Sequence, residues 1–263
     1  MKIADVHIHS NMSDGVRSPE DIVDYVEHLK VLNKIYITDH DNIEGSIRAK
    51  NYSLIKDYKI EVGIGIEVSS KDCHILALDV KSQIKKGMSL ERTCEEIVKQ
   101  GGFPIVAHPF NPYFWQLKHD SGKNLALRMI DLKIPFAFEV NGTLNYPTLV
   151  YSKGRILDKV SSISQNNRRA IKCSKEFNIP VIGASDAHML RAIGSAYTVY
   201  TNDLISDIKN NKVNYGFDFS RRREGLIYLG YHVLFDPIPI RKKYKRKMLN
   251  IIPKAKSSRK YFI

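Results

Sequence analysis

The 263-residue chain is 43% hydrophobic and 26% charged, which excludes a disordered, collagen-like or fibrous protein and suits one catalytic domain of ordinary barrel size with a short appendage. Its formal charge is +13, but residues 221–263 hold thirteen Lys and Arg against Glu224 and Asp236, which accounts for +11 of it. The remainder is close to neutral and is not composed as a nucleic-acid groove, whereas the tail is expected either to meet nucleic acid, anionic lipid or an acidic partner, or simply to solubilise the terminus.

The first residues lack an apolar stretch long enough for a signal peptide, and no later segment reaches the roughly 18 apolar residues of a membrane span. A cytoplasmic location without a transmembrane segment is expected. Short β-branched runs then predict strands at 3–8, 34–38, 61–67, 74–80, 104–107, 136–140, 180–184 and 196–200. Helical patterns fall between them, at about 19–31, 42–56, 89–101, 122–132, 155–177 and 202–211. Ser18 before Pro19 marks a helix start, with Glu20 and Asp21 suiting the positive end of the dipole. This alternation predicts a largely parallel sheet closed or nearly closed into an α/β barrel over residues 1–216, followed by a basic extension over 217–263. The apolar run Leu226–Phe235 is too short to span a bilayer and is expected to pack on the barrel or lie at an interface between its basic flanks. Cys73, Cys94 and Cys173 form no C-x-x-C pair and read as small buried apolar residues.

The ionisable residues fall at the predicted strand ends. His7 and His9 end the first strand and Asp14 follows; His40 stands beyond the second, Glu67 closes the third, His74 opens the fourth, His108 follows the fifth, and Asp186 and His188 follow the run Val181–Ala184. Strand ends of a βα-barrel share one mouth, so these residues are expected to meet there. Two imidazoles two apart on a strand leave the same face and can grip one cation. Six imidazoles and three carboxylates exceed the needs of one zinc, so two or three divalent cations are expected; a nitrogen and oxygen set without thiolate suits Zn²⁺, Mn²⁺ or Fe²⁺. His28, His119 and His232 need no functional role.

The set His7-Ile8-His9-Ser10, Ser13-Asp14-Gly15, Thr38-Asp39-His40, Gly65-Ile66-Glu67, His74-Ile75-Leu76, His108-Pro109 and Ser185-Asp186-Ala187-His188 with Gly194 resembles the PHP (polymerase and histidinol phosphatase) superfamily, in the family's order over about residues 1–200. The resemblance implies a distorted seven-stranded, TIM-like (β/α)7 barrel, a trinuclear metal centre and phosphoesterase or phosphatase activity. It also implies that His7, His9, Glu67 and Asp186 hold a first metal, that Glu67 bridges to a second held by His74 and His108, and that Asp14, His40 and His188 hold a third. Some members carry a large helical insertion between the positions of His74 and His108; only about thirty residues separate them here, so substrate contacts made by that insertion do not transfer.

The expected chemistry is hydrolysis of a phosphate ester by hydroxide activated on the cations, with Asp14, Glu67, Asp186 and His188 as the catalytic set. Asp39 is expected to orient a ligand imidazole. Of Arg17, Lys50, Arg155 and Arg191, Arg191 is the favoured phosphate contact, with Arg17 beside it. Glu139 and Asn141 are expected in the pocket or just behind the ligands, Asn141 as a substrate contact. Phe110, Tyr113, Phe114 and Trp115 suit either stacking on a substrate ring or a packed lid. The leading substrate is a small phosphorylated metabolite or nucleotide. The alternatives are an exonuclease or RNA-processing hydrolase that uses the basic tail, and a non-catalytic module with structural metals. An amidohydrolase also opens with H-x-H, but it leaves Asp14-Gly15 and Asp186-x-His188 unexplained.

Overall fold

The computed structural model describes residues 1–110, 122–142, 150–152, 155–157 and 165–218. Its strands are β1 (Lys2–Ile8), β2 (Lys34–Ile37), β3 (Glu61–Ser69), β4 (His74–Leu78), β5 (Phe103–Val106), β6 (Ala137–Asn141), β7 (Val150–Ser152), β8 (Arg155–Leu157), β9 (Val181–Ala184), β10 (Ala196–Tyr200) and β11 (Asn214–Phe217). Its helices are α1 (Pro19–Leu29), α2 (Glu44–Ile55), α3 (Leu90–Lys99), α4 (Gly122–Asp131), α5 (Gln165–Phe177) and α6 (Leu204–Lys209).

Nine strands form one sheet in the order β11-β10-β1-β2-β3-β4-β5-β6-β9. The seven from β1 to β9 curl into the barrel, and a parallel bridge between Ile8 and Ala187 joins the two ends at the mouth. β10 and β11 flank β1 as an antiparallel ribbon and cover the seam, where the Thr198 hydroxyl bonds both the N–H and the C=O of Gly183.

The sheet is less parallel than the alternation of elements predicts. β4 runs against both β3 and β5. Only residues 70–73 connect β3 to β4, far fewer than a parallel crossover requires, so the chain must turn back as a hairpin. That reversal explains why His74 opens its strand while the other candidate ligands close theirs: the start of β4 lies at the same mouth. A second correction concerns residues 155–157, expected at the head of a long helix. They pair instead, antiparallel, with 150–152, and among the described residues α5 covers Gln165–Phe177.

Helix faces follow the apolar spacing. Ile22, Val23 and Val26 of α1 pack with Ile8, Ile35 and Ile37, whereas Leu90, Cys94 and Ile97 of α3 pack with Leu125, Ala126 and Met129 of α4. Full burial of each large apolar side chain contributes roughly 1.5–3 kcal/mol. Ser18 caps α1 by accepting from Asp21 N, with Pro19 in the first turn. The barrel interior is filled by Ala4, Val6, Tyr36, Leu76, Leu78, Phe103, Ile105 and Ile182. Gly63 is obligatory for this filling, since a Cβ there would stand 2.1 Å from the Tyr36 ring. All three cysteines are buried and free.

One irregularity in β1 places the site. Ala4 and Val6 face the barrel interior, yet Ile8 lies in the outer layer under α1. Residues two apart share a strand face, so the phase has changed between them. The register with β2 jumps from Asp5↔Ile35 to Ile8↔Ile37, setting three residues of β1 against two of β2. This bulge carries His7 and His9, instead of Ile8, on into the mouth.

The apolar run 226–235 and the basic extension beyond residue 218 lie outside the described residues, as do Tyr113, Phe114 and Trp115. Among the described residues no helix is long and apolar enough to cross a membrane.

Candidate metal centre

Glu67, fully buried at the mouth end of β3, is the hub of the cluster. Its Oε1 lies 2.9 Å from His74 Nδ1 and 3.2 Å from His108 Nε2. Its Oε2 lies 3.1 Å from His7 Nε2, 3.2 Å from His9 Nε2 and 3.1 Å from His40 Nδ1. Asp186 Oδ1 closes the opposite side, 3.4 Å from His7 Nε2 and 3.2 Å from His9 Nε2. Asp14 faces His188 Nε2 at 3.3 Å, His9 Nδ1 at 3.6 Å and His40 Nε2 at 3.8 Å. All nine expected residues therefore converge.

Whether cations fit can be judged from the donors themselves. The Nε2 atoms of His7 and His9 stand 3.0 Å apart, while His7 Nδ1 donates to Glu139 Oε1 at 2.7 Å. A hydrogen bond at Nδ1 leaves the Nε2 lone pair of a neutral imidazole aimed inward, the usual arrangement behind a metal-ligating histidine. His188 repeats it, with Nδ1 donating to the Asp186 carbonyl at 3.0 Å. Four groups have ligand atoms within 4.8 Å of one another: His9, Asp14, His40 and His188; His7, His108 and Asp186; His7, His9 and Glu67; and His40, Glu67 and His74. The set fits divalent cations. The grouping differs in one respect from that implied by the family resemblance, because His40 sits with His74 while His108 sits with His7 and Asp186. The two oxygens of Glu67 nevertheless divide as a bridge would, with His74 and His108 on one and His7, His9 and His40 on the other.

The electrostatics record the same crowding. Burial disfavours a charged imidazole at His7, but Glu139, Asp186 and Glu67 outweigh it and hold the group well above the ordinary histidine range. At His9, burial is outweighed by hydrogen bonds to Asp186 and Glu67, and the pKa rises to about 10. His40 goes the other way: burial, reinforced by the neighbouring His9 and His74, pushes it down to about 4. Burial would raise Glu67, Asp14 and Asp186, yet the surrounding imidazoles hold all three below the carboxylate range. Without cations, protons on the imidazoles balance the carboxylates.

The supporting frame is equally specific. Glu139 Oε2 accepts from His108 N at 2.7 Å, so one carboxylate orients both His7 and the backbone of His108. His108 and Asp186 have positive φ, 31° and 54°, at the points where the chain leaves β5 and β9. Asp5, buried in β1, accepts from Ser185 N at 3.0 Å and Gly194 N at 2.8 Å, tying down the loop that bears Asp186 and His188; burial pushes its own pKa up to about 6. Gly15 has no room for a side chain, because a Cβ would lie 2.2 Å from the His9 carbonyl oxygen.

Asp39, expected from the sequence to orient a ligand imidazole, hydrogen-bonds serines instead. It accepts from Ser10 N, Ser10 Oγ and Ser13 Oγ at 2.7, 2.6 and 2.6 Å, shaping the loop before Asp14, and only Ser13 Oγ reaches towards His9 Nδ1, at 3.5 Å. Asn141 is 1% exposed, and its amide nitrogen donates to Glu139 Oε2 and Asp186 Oδ2. Arg17, Lys50 and Arg191 are exposed. Sequence reasoning missed Arg169, whose guanidinium lies 5.1 Å over the Phe110 ring, and Asn167, buried against Asn141; both stand in a polar helical stretch with no motif to single them out.

A PHP-domain family profile matches residues 5–177, and a PHP-associated profile matches residues 164–213. The chain belongs to the PHP family. An uncharacterized protein of Methanocaldococcus jannaschii is 36% identical to this PHP chain over 120 residues, covering 41% of this chain and 68% of that protein. The barrel also resembles a two-domain protein from Bacteroides vulgatus containing a predicted PHP-like metal-dependent phosphoesterase, at 19% identity and a TM-score of 0.60 over 82% of this chain. The PHP chain spans 64% of that structure. The lesion-specific endonuclease EndoQ of Pyrococcus furiosus shares the fold at 18% identity and a TM-score of 0.52, over 80% of this chain and 55% of its own.

Proposed function

We propose that this PHP chain is a metal-dependent phosphoesterase that hydrolyses a phosphate ester of a small metabolite or nucleotide. The observation that carries the reading is the division of Glu67, whose two oxygens face separate sets of imidazoles while Asp186 and Asp14 close the other sides. His7, His9, Asp14, His40, Glu67, His74, His108, Asp186 and His188 would hold two or three cations such as Mn²⁺, Zn²⁺ or Fe²⁺. Bound there, the cations would acidify water towards neutrality and polarise a phosphoryl oxygen. The chain's part is to fix the donors: Glu139 keeps the His7 lone pair inward, Asp186 does the same for His188 through its carbonyl, and Glu67 takes no proton at neutral pH. Arg191 and Arg17 remain the candidates for gripping phosphate.

The test is metal analysis of the purified protein, followed by turnover of phosphomonoesters, cyclic nucleotides and short oligonucleotides with each cation added. Cation-dependent release of phosphate, abolished in Asp186→Ala, is expected; full activity in that variant refutes the assignment. The thirteen basic residues beyond residue 220 support a second reading, a nuclease, as in the Pyrococcus furiosus endonuclease. That reading requires oligonucleotide turnover that falls steeply with salt and disappears when the chain is cut after residue 220.

A further inference from the structure

Asn141 is the last residue of β6, and its backbone faces two different neighbours. On one side β6 pairs with β9 through Asn141↔Ala184. On the other, pairing with β5 reaches only Val106↔Phe138, because His108 turns out of the sheet with φ 31°. The N–H and C=O of Asn141 on that edge lie beyond the last pair with β5. The side chain of Asn167, from the first turn of α5, stands in for a strand: its Oδ1 accepts from Asn141 N at 2.9 Å and its Nδ2 donates to Asn141 O at 2.9 Å. An asparagine amide carries the same acceptor and donor as a peptide group, and both side chains are buried, at 3% and 1% exposure.

The consequence reaches the cluster. With its backbone clamped, Asn141 directs its amide nitrogen to Glu139 Oε2 at 3.2 Å and to Asp186 Oδ2 at 3.1 Å. Asp186 then presents Oδ1 to His7 and His9, while Glu139 is left to orient His7 and His108. We infer that Asn167 is a positioning residue of the cation centre, acting through Asn141 on Asp186 and Glu139 from a helix that contributes none of the nine candidate ligands. Asn141 is on this account a strut behind the donors. The inference rests on the reading of the cluster as a cation site.

The experiment titrates the full-length, cation-free protein with Co²⁺, recording the dissociation constant and the visible absorption bands, which report ligand geometry. Asn167→Ala and Asn141→Ala are each expected to weaken Co²⁺ binding about 10–100-fold and to change the band positions. The double variant should lose little more than either alone, because the two residues act on one path. Ser174→Ala, which removes a buried hydrogen bond to Ile179 O at the far end of the same helix, is the control: it should lower the melting temperature and leave affinity and spectrum unaltered. If Asn167→Ala does not fold, Asn167→Asp preserves the shape and the acceptor and reverses only the donor, with the same loss expected. Should these variants behave like Ser174→Ala, the inference is overturned while the cation site stands; a wild-type protein that takes up no Co²⁺ overturns both.

Discussion

The two sides of the cluster are built from different material. Glu67, His7 and His108 sit on or at the ends of strands, are at most 6% exposed, and have Glu139 behind two of them. Asp14 and His40 come from loops, and their side chains are 35% and 28% exposed. Strand-borne groups inherit the rigidity of the ladder, whereas loop-borne groups depend on local bonds such as those of Asp39 to Ser10 and Ser13. The inner side is therefore prefabricated, and the outer side is the one able to yield to a substrate.

The largest effect should come from the hub. Glu67→Gln is expected to abolish inner cation uptake and lower turnover on the order of 10³-fold, read by metal analysis and steady-state kinetics; a smaller loss than in His40→Ala would break the comparison. Glu139→Gln should come next, with about a 10–100-fold loss of cation affinity in calorimetry, although Glu139 is not one of the nine candidate ligands. His40→Ala should cost about tenfold in turnover and leave inner affinity nearly intact, since a single interaction at a partly exposed site is worth around 1 kcal/mol.

Proton release sharpens the contrast further. In the cation-free protein His9, at about 10, and His7, held well above the usual range, are charged at neutral pH, whereas His40, at about 4, is not. Inner cations must displace those protons. Mn²⁺ uptake at pH 7 should release roughly one to two protons per chain, with affinity rising as pH rises, and His40→Ala should leave the number unchanged; calorimetry in buffers of different ionisation heat measures it. The same shifts set the stability of the cation-free protein. The contribution of His9 is full below pH 6.5 and fades as pH rises through about 10, while that of Asp14 is full above 3.8 and fades as pH falls.

Much of this was legible in the residues. Candidate ligands at strand ends carry both a barrel and a shared mouth in their spacing, and the His7–Ile8–His9 pair on one strand face survives in the structure. What was not legible depends on neighbours distant in sequence. The reversal of β4 is written only in the shortness of residues 70–73, easily passed over beside a strong strand signal. Asp39 looks like a helper to a histidine because it precedes one, yet its acceptors are filled by serines 26 to 29 residues earlier. Asn167 sits among polar helix residues, and only the early departure of the chain at His108 exposes the backbone edge that it fills.

The bulge in β1 gives the strand that carries the histidine pair one residue to spare. The surplus precedes the pair, so deleting Val6 would remove it, join Asp5↔Ile35 and Ile8↔Ile37 in one unbroken register, and leave Ile8 under α1 with both rings still turned inward. A descendant of this gene that retains the motif letter for letter but drops Val6 ahead of it should keep both its barrel and its grip on metal.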